Sequence, residues 1–137
     1  MSQFQWQVRV YYEDTDNGGV VYYANYLRFM ERARTEWLRS LGIEQDHLIT
    51  GDDILFAVRH VNIDYHAPAR FNDQLDISVD ILKRSRASLT FGQVVTHRGD
   101  NDTPLCSAEV KVACLVASTF KACPLPDFIL KELPDVV

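Results

Sequence analysis

The chain switches between two hydrophobic periods, and the switches mark its elements. Val8, Val10 and Tyr12 alternate with Arg9, Tyr11 and Glu13, the two-residue period of a half-buried strand. Asp14 to Gly19, rich in Asp, Asn and Gly, breaks that pattern as a turn. Over 22–41 the period becomes helical. Tyr26, Phe29, Met30, Ala33, Trp37 and Leu41 recur at steps of three and four and share a face, while Arg28, Arg32, Glu36 and Arg39 take the other side. Gly42 stands where a helix commonly ends in a residue of positive φ. A short second helix is placed at 46–50.

Beyond Gly51 alternation returns. Leu55, Ala57, Arg59, Val61, Ile63 and Tyr65 are predicted on one side of a long strand that ends at Ala67-Pro68. Leu75, Ile77, Val79 and Ile81 mark the next strand. Leu89, Phe91, Gln93 and Val95 mark another, and Ala108, Val110, Val112, Cys114 and Val116 the last. The tail, 124–137, holds three prolines and a short helix at 128–132. One strand, one long helix and four strands with short connections predict an α+β fold, a five-stranded, mostly antiparallel sheet with one helix across it. A single helix covers only part of such a sheet, so a homodimer or larger is expected. No repeat or linker divides the 137 residues, which are read as one domain.

Composition narrows the function. A net charge of −5 offers no dominant basic field and counts against generic nucleic-acid binding. Cys106, Cys114 and Cys123 are an odd number without a short paired spacing, which suits free thiols in a reducing compartment. Residues 1–6 have neither the basic nor the apolar stretch of a signal peptide, and no apolar run reaches the length of a membrane span. A cytoplasmic location is the expectation.

The candidate chemistry lies in the first turn. Glu13, Asp14 and Asp16 crowd three carboxylates into four positions ahead of a helix N-terminus, where free N–H groups and the helix dipole favour negative charge. Turn and cap duty is one reading of these residues. A calcium loop is another, but its twelfth position would be Asn25 in place of a bidentate Glu. The functional reading makes Asp16 a nucleophile or a general base at an acyl carbonyl. Gly18 and Gly19 would let the backbone approach a ligand, and N–H groups near Tyr22, Tyr23 and Ala24 would polarise the carbonyl oxygen.

Lys83, Arg84, Ser85 and Arg86 form the compact basic cluster, read either as a solvated hairpin end or as a phosphate contact. Serine-hydrolase, nucleotide-binding and zinc motifs are missing. The four histidines are scattered, and none lies in the acidic turn or the long helix.

The run Tyr11-Tyr12-Glu13-Asp14-Thr15-Asp16-x-Gly18-Gly19-Val20-Val21-Tyr22, followed by Ala24-x-Tyr26 and 31–36 (Glu-Arg-Ala-Arg-Thr-Glu), resembles the YbgC-like acyl-CoA thioesterases, relatives of the 4-hydroxybenzoyl-CoA thioesterases in the hotdog superfamily. A second match is Asp64-Tyr65-x-Ala67-Pro68-Ala69-Arg70, with Asp73 after it. The resemblance implies a hotdog fold, dimers or tetramers with active sites between subunits, and an acyl-CoA substrate with a short-chain or aryl acyl group. Asp16 falls on the family's catalytic aspartate and Tyr23 on its carbonyl-polarising backbone amide. Gly18, Gly19, Val20, Tyr22 and Ala24 line the same site, and Lys83, Arg84 and Arg86 fall near the CoA-phosphate contacts. No metal or organic cofactor is implied. Many YbgC-like members carry a histidine where this chain has Tyr23, a departure that keeps the amide and removes a side-chain acid or base. The resemblance also implies an alternative: a non-catalytic partner that binds acyl-CoA or acyl-carrier protein in an envelope or phospholipid-synthesis complex.

Overall fold

Helix α1 (Asn25–Ser40) lies against a curved antiparallel sheet, in a computed structural model that describes residues 4–137. The first three residues of the stretch read for a signal peptide lie outside the described residues. The helix buries Tyr26, Phe29, Met30, Ala33, Trp37 and Leu38, so its three- and four-residue spacing does face the core. It ends as the sequence predicts. Gly42 adopts φ +83°, its N–H donates to Arg39 C=O, and Ile43 N–H reaches back to Leu38 C=O. That pair of bonds satisfies carbonyls the helix end would leave open. The helix begins at Asn25, later than position 22, because Tyr22 and Tyr23 remain in the entering turn.

The sheet contains β1 (Gln5–Arg9), β2 (Ile54–Tyr65), β3 (Gln74–Ser78), β4 (Asp80–Ser85), β5 (Ser88–His97) and β6 (Cys106–Val116). Its order is β1-β3-β5-β6-β2, with β4 also paired to β5. The strand predicted across 75–81 is therefore two. β3 pairs with β5 near Val95, and β4 pairs with β5 near Phe91. The break falls at Val79, between the Ile77–Val95 and Asp80–Gly92 pairs. Within β4, Leu82 bulges out of the pairing and lies over Gly92, where an added Cβ would stand 3.0 Å from it.

The alternation predicted for β2 also changes phase. A bulge between Val58 and His60 leaves Arg59 as an extra residue in the pairing with β6. Ile54 and Phe56 pack on the core before it, Val61 and Ile63 after it. Leu55 and Ala57 consequently do not share a face with Val61 and Ile63, since one inserted residue inverts a two-residue period.

Two small helices complete the chain, α2 (Gln45–Asp52) and α3 (Asp127–Leu130). The first strand is shorter than its alternation: Val10 leaves it, and Tyr12–Asp14 coil into one 3-10 turn. Trp37 and Phe91 meet edge to face at 5.3 Å, joining α1 to the middle of the sheet. No helix among the described residues is long and apolar enough to cross a membrane.

Candidate active site at the entrance to the long helix

The acidic turn folds as a miniature hairpin. Thr15 bridges Val21, Asp16 N–H donates to Val20 C=O at 2.9 Å, and Gly19 N–H returns to Asp16 C=O at 3.1 Å. Gly19 has φ +77°, a conformation that a side chain opposes. The Asp16 carboxylate accepts the Gly18 N–H at 2.8 Å and is otherwise turned to solvent. A second loop holds this hairpin from behind. Val21 N–H donates to Ala69 C=O at 2.8 Å, Val20 bridges Arg70, and Ala69 N–H donates to the Tyr26 hydroxyl at 3.1 Å.

The three clustered carboxylates do different work. Asp14 is buried; one oxygen accepts the Asn25 side-chain amide at 2.6 Å and the other accepts Tyr11 N–H at 2.8 Å. Its own C=O accepts Tyr22 N–H at 2.9 Å. Glu13 and Asp16 are both exposed, and the Asp16 carboxylate holds the Gly18 N–H of its own turn. Asp14 faces the helix entrance while Asp16 holds its own turn, so the pair does not converge as calcium ligands would.

Of the three N–H groups predicted to face a carbonyl oxygen, Tyr22 N–H is taken by Asp14. The Tyr23 and Ala24 N–H groups have no acceptor among the described residues, as the start of a helix leaves them. Tyr23 is 61% exposed and Ala24 half-buried. The Tyr23 carbonyl accepts the Tyr65 hydroxyl at 3.0 Å. Tyr23, Tyr26 and Tyr65 form an aromatic cluster, with ring centroids 6.2 Å apart for Tyr23 and Tyr65 and 5.6 Å for Tyr26 and Tyr65. Burial above all raises the Tyr26 and Tyr65 phenols above their ordinary values.

The basic cluster is elsewhere. Lys83 and Arg86 are exposed, whereas Arg84 is half-buried and donates to Pro134 C=O at 2.7 Å. The hairpin that carries them is anchored where Ser88 pairs with Ala113, while Tyr65 pairs with Cys106 at the other end of β6. Cys106 and Ala113 are seven residues apart, roughly 24 Å along a strand. Within one chain Asp16, Gly18, Gly19, Val20, Tyr22, Tyr23 and Ala24 gather at one place, and Lys83, Arg84 and Arg86 at another.

Two features escaped the reading of single residues. Tyr65 reads in the sequence as one member of an alternating strand, although it lies inside the second family-like run, Asp64 to Arg70, which is the available signal. A cavity of about 210 Å³ between α1 and β2, with Arg34, Thr35, Leu38, Phe56 and Phe91 in its walls, had no local signal, because α1, β2 and β5 each supply part of it. Arg34 there donates to the fully buried Gln93 at 2.9 Å, and burial lowers its guanidinium pKa.

A sheet curled about one helix is the hotdog architecture of thioesterases, and comparison with known proteins agrees. Residues 18–103 match the thioesterase superfamily. The acyl-CoA thioester hydrolase YbgC of Escherichia coli O6:H1 is 44% identical over 129 residues, covering 94% of each chain. The acyl-CoA thioesterase YbgC of Haemophilus influenzae is 42% identical and covers 90% of this chain and 88% of its own. The crystal structure of a probable thioesterase from Bartonella henselae superposes with a TM-score of 0.83 at 35% identity, covering 90% of this chain and 98% of that one. The chain belongs to the thioesterase superfamily, within its YbgC-like acyl-CoA thioesterases.

Proposed function

We propose that the protein hydrolyses the thioester of an acyl-CoA to the free acid and CoA, with Asp16 as the reacting carboxylate. The observation that carries this reading is the pair of unpaired N–H groups, Tyr23 and Ala24, on the same hairpin-to-helix segment as the solvent-facing Asp16. Donors fixed in advance at the thioester oxygen stabilise charge as it develops there, without reorganising in the reaction. Asp16 either attacks the carbonyl carbon, expelling CoA thiolate and leaving an anhydride for water to cleave, or takes a proton from an attacking water. Tyr23 contributes its amide; its phenol, with Tyr65 and Tyr26, supports a short aliphatic or aryl acyl group by packing.

The working unit is a dimer built on β2. This twelve-residue strand is a sheet edge, and Val58 on it is 50% exposed. A long open edge of this kind is a ready site for pairing. Antiparallel pairing of two copies about a two-fold axis sets the Tyr65 end of one beside the Ile54 end of the other. It thereby brings Lys83 and Arg86 of one copy toward Asp16 of its mate, which the single chain keeps apart. CoA phosphates on those cations and a thioester at the helix entrance are then compatible. Thiol release from short-chain, long-chain and aryl-CoA substrates, together with sedimentation, tests the reading. Turnover by a dimer or tetramer supports it; no turnover on any CoA substrate by a folded oligomer contradicts it.

A further inference from the structure

Both unpaired amides belong to peptide units that are held from the opposite side. The unit carrying Tyr23 N–H has Tyr22 C=O, which accepts Asn25 N–H at 2.7 Å. The unit carrying Ala24 N–H has Tyr23 C=O, which accepts the Tyr65 hydroxyl at 3.0 Å. No peptide bond here is cis, so in each unit the C=O and N–H point in opposite directions within one plane. A bond at the oxygen therefore fixes where the N–H points. It also draws charge toward the oxygen and strengthens the N–H as a donor. The two bonds differ in origin. That on Tyr22 is local backbone; that on Tyr23 comes from a side chain 42 residues away, at the end of β2.

We infer that Tyr65 is a positioning residue: by holding the Tyr23 carbonyl it aims the Ala24 N–H, and with it the turn bearing the Tyr23 N–H, at the thioester oxygen. This rests on the proposed reading of Asp16 and the helix entrance as the reacting site. The hydroxyl is suited to the task. Burial first, and then Cys106, Tyr23 and Tyr26, raise its pKa above the ordinary phenol value, so it remains a donor at neutral pH. It exchanges no proton with substrate.

The test is Tyr65→Phe in the full-length protein, beside Asp16→Asn. Phenylalanine retains the ring that packs on Tyr23 and Tyr26 and deletes one oxygen. The expected result is a kcat about tenfold lower, the size of one lost hydrogen bond, with KM changed by less than about twofold. The readout that activity does not share is the Ala24 amide: its 15N and 1H resonances should shift in Tyr65→Phe while those of remote Gly42 stay in place. Unchanged kcat in Tyr65→Phe, with turnover abolished in Asp16→Asn, overturns the role of Tyr65 alone. Full turnover in Asp16→Asn overturns the reading of the site beneath it. A kcat loss without movement of the Ala24 resonance also overturns the inference, because the effect would then bypass that peptide unit.

Discussion

Asp14 and Asn25 meet through a buried 2.6 Å hydrogen bond that ties the acidic turn to the first residue of the long helix. The same carboxylate accepts Tyr11 N–H, and the same residue's C=O accepts Tyr22 N–H. The orientation of the helix entrance relative to Asp16 thus depends on a carboxylate two residues away that does not face solvent. Replacement of Asp14 by Ala would strand the Asn25 amide in the interior and deprive the half-buried Tyr11 N–H of its acceptor. Asp14→Ala is expected to lower unfolding stability by about 2–3 kcal/mol in urea denaturation. Asp14→Asn, which can pair with a flipped Asn25, should lose about 1 kcal/mol. Equal losses in the two variants would contradict the assignment.

The two glycines of the turn should separate stability from function. Gly19 has φ +77° and open space around its Cα, so Gly19→Ala strains only the backbone and should cost about 1 kcal/mol. An added Cβ at Gly18 would stand 3.2 Å from the Asp16 carboxylate oxygen. Gly18→Ala should therefore turn that carboxylate aside and cut kcat at least about tenfold, with a melting temperature close to wild type. Matched kcat values for the two variants would argue against an Asp16 geometry set by Gly18.

The thiols give the protein an alkaline weakness. Burial, with Asp64 adding to it, pushes Cys106 up to about 12; burial, with the Cys123 thiol 3.5 Å away, pushes Cys114 up to about 12. In the unfolded chain both ionise near 9.0. Between those values the folded chain keeps protons that the unfolded chain has lost, so stability is full below about pH 9 and falls as pH rises toward 12. The urea midpoint should decline over this range, and less steeply in a Cys106→Ala/Cys114→Ala variant. An unchanged slope in that variant would contradict the account.

The sequence made the element order, the helix face and its Gly42 terminus legible because those are local properties. Apolar residues at three- and four-residue steps must share a side, and a Gly after them can take positive φ. The phase change at Arg59 was hidden, because a bulge is decided by pairing with β6 and leaves no mark on the alternation of β2. The division of 75–81 into β3 and β4 is likewise visible only in the pairing with β5. At the site, Asp16 and the glycines could be read in one segment of chain. Tyr65 is marked in the sequence only by its place in the run Asp64 to Arg70, since its hydroxyl meets Tyr23 C=O only when β2 is laid beside the helix entrance. The proximity of Cys114 and Cys123 was masked in the same way by a spacing that a strand and its return close up.

Thiol release from an acyl-CoA panel by wild type and Asp16→Asn tests the central claim most directly. Among the described residues the Asp16 carboxylate makes one hydrogen bond, from Gly18 N–H, and an amide oxygen can accept that bond equally well. The variant should therefore fold and oligomerise as wild type does, while kcat falls by at least about a hundredfold on every substrate that wild type cleaves. A folded Asp16→Asn that retains wild-type turnover would contradict the assignment of the chemistry to this carboxylate.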